Sequence, residues 1–316
     1  MINLPKVTDL EVGGKKVLLR LDLDIDPDPD ELRIKTSEET LNYLKEKGAA
    51  IIILAHRGRP EGKIDESLSL KSFQPIFTKW EAKVEENLRF DSGEETNDPE
   101  FTRRLAEKGD VYINEAFGNS HRQHASIVGL PKLLPHAAGF RFVEEVNNLS
   151  KVFDNPKRPV LFIVGGSKKD KLDYIENLKF IADKILVGGR LPDYLQDTRY
   201  SILDTKIIVA NLLPDKEDMT INSIEKFEEE IGKAGTIVLA GPMGKYEDKG
   251  HRQGTERIFK AVANSNAFKI TGGGDSLSVI SIYNLKNKFD WVSVGGGAML
   301  EFLAKRTLPG IEALLC

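Results

Sequence analysis

Hydrophobic positions along the chain gather into short runs, each closed by a polar or glycine-rich turn and followed by a stretch with helical spacing. Val17–Leu23 is the first run. Ala49–Ala55 is the longest and is continuous, as expected of a strand buried on both faces. Between them residues 36–47 pattern as a helix, with Thr36 and Glu39 as a capping box, Leu41 and Leu44 on the apolar face and Gly48 as the stop. Val111–Ile113 continues the series. The second half repeats it: Pro159–Val164 precedes Gly165-Gly166, Lys184–Val187 precedes Gly188-Gly189, and Thr236–Ala240 precedes Gly241-Pro242. Phe268–Thr271 then leads to Gly272-Gly273-Gly274, and Trp291–Val294 to Gly295-Gly296-Gly297. Strands alternating with helices predict βαβ units, hence an α/β protein with doubly wound, Rossmann-like parallel sheets. Such sheets bind ligands beyond the carboxyl ends of their strands, where these turns fall. Residues 141–154 pattern as one helix, ended by Asn155-Pro156, and mark a domain boundary near residue 145.

Composition narrows the class. The chain has 316 residues, enough for two domains, with 45 Lys+Arg against 49 Asp+Glu and a formal charge of −4. That balance argues against a nucleic-acid coat or a polybasic membrane binder. No apolar run has membrane length and the N-terminus lacks a secretory signal stretch, so neither a membrane nor a nucleic acid is expected as partner. The single cysteine, Cys316, excludes an internal disulfide and a cysteine-based zinc site. A cytoplasmic protein is expected.

In the first half Arg20, Arg33, His56, Arg59, Arg89, His121, Arg122 and His124 collect at strand ends. Arg20, Asp22 and Asp24, spaced by two, share a strand face. Arginine forks match carboxylate and phosphate geometry, so the set reads as an anion site, although any one of them alone reads as a solvated surface residue. His136 and His251 lack such context and read as structural. In the second half the glycines let backbone N–H groups approach a phosphate, aided by the following helix N-terminus. Any single pair reads equally as an ordinary turn. Neither a Walker-type loop nor a G-x-G-x-x-G motif is present. Gly165–Lys171 adds lysines as charge neutralisers, and Asp275 is either a Mg²⁺ ligand or a helix-start carboxylate. One half thus suits a small anion and the other a phosphate-rich ligand, with a kinase as the leading class.

At these turns the sequence resembles the phosphoglycerate kinase family nearly end to end. The matching stretches are VLLRLD at Val17–Asp22, LRI at Leu32–Ile34, HRGRP at His56–Pro60, ENLRF at Glu86–Phe90 and DVYINEAFGNSHRQHASIVG at Asp110–Gly129. Gly165–Lys171, GPMGKYE at Gly241–Glu247, GGGDS at Gly272–Ser276 and GGGAMLEFL at Gly295–Leu303 complete them. The resemblance implies two domains joined by a hinge helix: residues 1–145 binding 3-phosphoglycerate and joined by a C-terminal tail (about 303–316), and residues 146–302 binding nucleotide. It implies Mg²⁺-dependent transfer between ATP/ADP and 3-phosphoglycerate in glycolysis, by a monomer. Asp22, Asp24, Arg33, His56, Arg59, Arg89 and Arg122 would bind 3-phosphoglycerate, with Arg33 also stabilising the moving phosphoryl group. Gly165, Gly166, Lys168, Lys171, Gly188, Glu247, Gly273, Gly274, Asp275 and Ser276 would hold the nucleotide, Asp275 through Mg²⁺ and Glu247 at the ribose. Arg33, Lys168, Lys171, Gly274 and Gly296 would act on the transferred group.

The chain departs from the family in places. Asp24 replaces an asparagine beside the anionic substrate, Leu239-Ala240 replaces Trp-Asn, and Arg190 replaces a glycine. One residue is missing between Lys168 and Lys171, leaving Lys168 and Lys169 both candidates for one role. The segment between Leu70 and Glu86, where the family carries a further helix and strand, is shortened. So is the segment between Arg190 and Thr236, where Thr220–Ser223 stands near the place of a Gly-Pro-Lys loop. These departures keep a second reading open, a weakly active or inactive binding protein on the same fold.

Overall fold

The computed structural model describes residues 2–195 and 205–316, and two compact units account for them. The first unit comprises Met1–Asn147 and Thr307–Cys316, the second Asn148–Arg306. The first holds five parallel strands: β1 (Lys16–Arg20), β2 (Ala50–Leu54), β3 (Lys83–Val84), β4 (Val111–Asn114) and β5 (His136–Ala138), in the order β3-β2-β1-β4-β5. The second holds six: β6 (Val160–Val164), β7 (Lys184–Val187), β8 (Ile207–Val209), β9 (Thr236–Ala240), β10 (Phe268–Gly272) and β11 (Trp291–Ser293). Their order is β11-β10-β9-β6-β7-β8, again with parallel pairing.

Both sheets are doubly wound. The chain lays down strands in one direction and then returns to the other side of its first strand, so the order reverses between β1 and β4 and again between β6 and β9. A crevice opens at such a reversal, outside the carboxyl ends of the strands. The central strands are the apolar ones: β6 (VLFIV) and β9 (TIVLA) are buried along their whole length. Side chains from β6 and β9 pack with Phe227, Ile258 and Phe259 of the flanking helices, and in the first unit Leu19, Ile51 and Ile113 pack with Leu41, Phe73 and Phe77. Burial on both faces makes alternation impossible and explains the continuous runs.

Several expectations change. The helix after β1 runs Glu38–Glu46, and Thr36 is not its cap; its hydroxyl donates backwards to Leu32 O (2.8 Å) across the preceding short helix Leu32–Lys35. Thr36 therefore closes one helix instead of opening the next. The boundary helix is shorter than residues 141–154: it runs Phe140–Ser150, and Asn155 takes a left-handed φ of 60° that no helix continues through. Arg20, Asp22 and Asp24 do not share a strand face, because β1 ends at Arg20. The segment between Leu70 and Glu86 keeps a short helix, Gln74–Phe77, and the strand β3 despite its reduced length. Thr220–Ser223 opens the helix Ile221–Lys233, with Ser223 Oγ accepting from Asn211 N–H (2.8 Å).

The helix Phe140–Ser150 carries the chain out of the first unit and is anchored by a buried carboxylate. Glu115 Oε1 accepts from Thr40 Oγ1 (2.5 Å) and from Arg141 N–H (3.2 Å), and Oε2 accepts from Phe142 N–H (2.9 Å). Burial pushes its carboxyl up to about 7 in spite of these donors. Glu115→Ala leaves those donors unsatisfied and is expected to cost about 2 kcal/mol. A lowered urea midpoint checks this; a midpoint equal to wild type refutes the anchoring role.

Candidate active site

In the first unit the β1–β4 reversal brings the cationic side chains together. Arg20, at the end of β1, is wholly buried, as is His56 in the turn after β2. Arg20 NH2 lies 2.9 Å from His56 Nδ1, and Arg122 NH1 lies 3.3 Å from His56 Nε2. Arg89, also buried, donates to Gly58 O (2.7 Å) and pairs with Glu95 (3.1 Å), while its buried Nε has no partner. Arg33 donates from NH1 to Asp22 Oδ1 (3.3 Å) and Asp24 O (3.0 Å). Arg59 is exposed. Burial, reinforced by neighbouring arginines, lowers the pKa of Arg89 and of Arg122. Burial and the surrounding guanidinium charge also hold His56 well below the usual imidazole range and bring His124 down to about 3. So much positive charge with few counter-charges makes a site for an anion, and the unpartnered Nε of Arg89 is one donor it can satisfy.

Asp24 is better accommodated than its charge suggests. Its Oδ1 accepts from Gly58 N–H (2.8 Å), which fixes the HRGRP turn, and its Oδ2 stands 3.9 Å from His56 Nε2.

In the second unit the β6–β9 reversal is occupied by a lysine. Lys171 Nζ donates to Gly165 O (2.7 Å), at the end of β6, and to Ala240 O (3.1 Å), at the end of β9. Burial lowers its pKa to about 8, against a partly offsetting pull from Asp275. Gly241, with φ 106°, passes so close that a Cβ there would stand 2.6 Å from this ammonium. Gly166, with φ 93°, donates its N–H to Pro242 O (2.7 Å). Lys168 is exposed, and Lys169 lies over the Tyr194 ring (5.8 Å). Gly188 packs on Met243, where a Cβ would come within 2.7 Å of its sulfur.

The turns after β10 and β11 touch. A Cβ on Gly296 would meet Gly273 Cα at 2.6 Å, so both must be glycine, whereas one on Gly274 or Gly297 would meet nothing within 4 Å. The helix Gly274–Ile282 therefore begins at open backbone, and the helix Gly296–Lys305 is open at its second residue, Gly297, which suits a phosphate. Asp275 is exposed in the first turn of the helix Gly274–Ile282, a place that suits a helix-start carboxylate as well as a Mg²⁺ ligand. Ser276 is buried, its Oγ accepting from Gly241 N–H (3.0 Å), and it braces the β9 turn. Glu247 is exposed on the loop after β9. That loop is tied by Lys245 to Glu217 (3.3 Å) and by His251, which bridges Asp215 and Asp248 at 2.9 Å each. His251 thus has a structural task, in line with its reading from the sequence. Glu217 also pairs with Arg190 (3.4 Å), giving the residue in the third glycine position a counter-charge.

Sequence reasoning passed over the support behind the anion site. Ser126 Oγ accepts from Arg20 Nε (2.9 Å) and donates to the buried Glu94 (2.6 Å). Ser126 lies inside the HRQHAS stretch, but nothing around Glu94 signals its part.

An α/β chain with an arginine-lined anion site at one sheet reversal and glycine turns with a lysine at the other defines a phosphotransferase. Comparison with known proteins gives the particular family. The family model described as phosphoglycerate kinase matches residues 7–85, 77–202 and 203–306. Relatives named phosphoglycerate kinase include that of Herpetosiphon aurantiacus, 33% identical over 391 aligned positions covering 99% of both chains, and that of Rubrobacter xylanophilus, 34% identical over 381 positions covering 98% of this chain and 97% of the other. The solved phosphoglycerate kinase of Coxiella burnetii superposes with a TM-score of 0.82 at 29% identity, covering 99% of each chain. That of Pyrococcus horikoshii gives 0.82 at 25% identity over 98% of each. The chain belongs to the phosphoglycerate kinase family, in a form shorter than those relatives.

Proposed function

We propose that the chain catalyses reversible phosphoryl transfer between ATP and the carboxyl group of 3-phosphoglycerate, giving ADP and 1,3-bisphosphoglycerate, a step of glycolysis. The observation that carries this reading is the buried arginine–histidine cluster at the first reversal, which fits a small acid bearing two anionic ends. The first unit takes 3-phosphoglycerate through Asp22, Asp24, Arg33, His56, Arg59, Arg89 and Arg122. The second takes the nucleotide: Gly165, Gly166 and Gly188 shape its turns, Gly273, Gly274 and Gly296 offer backbone N–H groups to phosphates, and Glu247 meets the ribose. Ser276 serves by bracing, and Lys168 and Lys171 neutralise phosphate charge. The work of these residues is positioning and charge neutralisation, with no covalent intermediate.

Among the described residues no group of three or more His, Cys, Asp or Glu side chains could hold a metal ion. Asp275, a lone exposed carboxylate beside the open Gly273-Gly274 turn, fits Mg²⁺ arriving with the nucleotide, since that ion keeps its waters and takes one or two carboxylates plus phosphate oxygens. Bound there it would neutralise charge on the phosphates. Among the described residues no helix is long and apolar enough to cross a membrane. The reading takes the chain to work as a monomer in the cytoplasm.

The test is a coupled assay of ATP, Mg²⁺ and 3-phosphoglycerate, with glyceraldehyde-3-phosphate dehydrogenase and NADH reporting 1,3-bisphosphoglycerate. Folded protein that binds 3-phosphoglycerate without turnover would overturn this reading in favour of a binding protein.

Asp24 gives a finer check. Asp24→Asn keeps an oxygen for Gly58 N–H and removes the charge facing the substrate. Its side chain is 42% exposed, so the repulsion is screened to about 1 kcal/mol, and 3-phosphoglycerate is expected to bind about fivefold tighter. Calorimetric titration reads this directly; weaker binding would show that the Asp24 charge favours the ligand.

A further inference from the structure

Each ring nitrogen of His56 faces a guanidinium: Nδ1 meets Arg20 NH2 at 2.9 Å and Nε2 meets Arg122 NH1 at 3.3 Å. A guanidinium only donates, so a ring nitrogen bonded to one must carry no proton. A neutral imidazole has one such nitrogen, and therefore one of the two contacts is not a hydrogen bond. What lies behind Arg20 decides which. Arg20 is wholly buried, and two of its other nitrogens also donate, Nε to Ser126 Oγ (2.9 Å) and NH1 to Leu21 O. The Ser126 hydroxyl accepts from Arg20 and so sends its own proton to Glu94 Oε1 (2.6 Å), while Ser126 N–H donates to Glu94 Oε2 (3.0 Å). Glu94 is itself fully buried. Every donor along this chain has one direction, and a proton on Nδ1 would confront Arg20 NH2 donor to donor.

We propose that Arg20 is a positioning residue: the buried chain Glu94–Ser126–Arg20 holds His56 as the neutral tautomer protonated on Nε2, so that Nε2–H and Arg122 NH1 offer two donors to one oxygen of the bound anion. The proposal rests on the proposed function only for the identity of that anion as 3-phosphoglycerate. The Arg122–His56 contact is then a pair of donors converging on a shared acceptor. Asp24 Oδ2, at 3.9 Å from Nε2, stands beyond hydrogen-bond range. The charged and titratable groups around the ring are Arg20, Arg89, Arg122, His124 and Asp24, and the preponderance of positive charge, on top of burial, keeps a second proton off it.

The experiment is a long-range ¹H–¹⁵N correlation spectrum of the full chain labelled at histidine, with His56 assigned by its loss in His56→Gln. One neutral Nε2–H signature is expected, unchanged from about pH 6 to about pH 8. A protonated Nδ1, or an imidazolium, overturns the proposal. Ser126→Ala withdraws Arg20's acceptor while leaving its charge. It is expected to give mixed tautomers and to raise KM for 3-phosphoglycerate about tenfold with kcat within about twofold of wild type. Retention of both the single tautomer and the wild-type KM overturns the part assigned to Ser126 and Glu94. Arg20→Lys should likewise release the tautomer, because an ammonium does not reproduce the fixed fork. A chain that shows the Nε2–H signature yet turns over no 3-phosphoglycerate would refute the kinase reading and leave the tautomer assignment standing.

Discussion

Arg33→Ala is expected to lower kcat by about a thousandfold while leaving 3-phosphoglycerate binding within about tenfold of wild type. The asymmetry follows from where Arg33 sits. It is on the short helix Leu32–Lys35 beyond β1, with Glu31 capping that helix through the Arg33 backbone N–H (3.2 Å), so the alanine variant keeps the local fold. Its guanidinium is held by Asp22 Oδ1 and Asp24 O, on the open side of the site, whereas Arg89 and Arg122 are set deeper and remain to hold the substrate. A cation that binds ground state and transition state equally changes KM; one that meets charge as it spreads over the moving phosphoryl group changes kcat. The coupled assay gives kcat and calorimetry gives the affinity. Unchanged turnover removes Arg33 from phosphoryl transfer, and affinity lost in proportion to turnover makes it a substrate-binding residue only.

The sheets were legible because their central strands are buried on both faces, and burial writes itself as an unbroken apolar run ending in a special turn. Val160–Val164 and Thr236–Ala240 are such runs, whereas Ala49–Ala55, expected to be buried on both faces, has Ala50 exposed and Ile52 half-buried. What escaped were edge and short strands. β3 has two residues, β5 reads His-Ala-Ala, and β8 lies at the margin of the second sheet with its residues only partly buried. An edge strand pairs on one side and packs less, so its sequence carries less of the signal. β11 is also an edge, yet its apolar run before Gly295-Gly296-Gly297 announced it.

The candidate site divides in the same way. Arg33, His56, Arg89 and Arg122 stand in motifs at strand ends, and the turn geometry that gathers them is local. The network behind them is not local: Arg20, Ser126 and Glu94 meet only because β1, the turn after β4 and the helix Gly93–Thr96 converge. A buried acid has no sequence signature of its own, since Glu is ordinarily a surface residue. Asp24 shows the converse. Its charge was legible as a liability, but the acceptor role toward Gly58 N–H depends on a loop that the sequence does not bring close.

Lys171→Met is expected to weaken nucleotide binding by about a hundredfold and to erase a pH dependence that the wild-type chain shows. Methionine matches the length of the lysine stem, so the variant chiefly removes the ammonium and leaves Gly165 O and Ala240 O short of a donor. Burial has brought this lysine down to about 8, so it is charged at pH 7 and mostly neutral at pH 9. A polyphosphate prefers the charged form. Nucleotide affinity is therefore highest below pH 8 and falls as pH rises through it, with a limiting slope of about tenfold per unit, and binding above pH 8 takes up a proton. Calorimetry of Mg²⁺–nucleotide in buffers of different ionisation enthalpy measures both affinity and proton uptake. 3-Phosphoglycerate, bound by the first unit, serves as the internal control and should titrate alike in both proteins. Wild-type affinity that stays flat from pH 7 to pH 9, or a Lys171→Met variant that keeps the slope, would leave Lys171 as a strut between β6 and β9 and move the charge-neutralising role to the exposed Lys168.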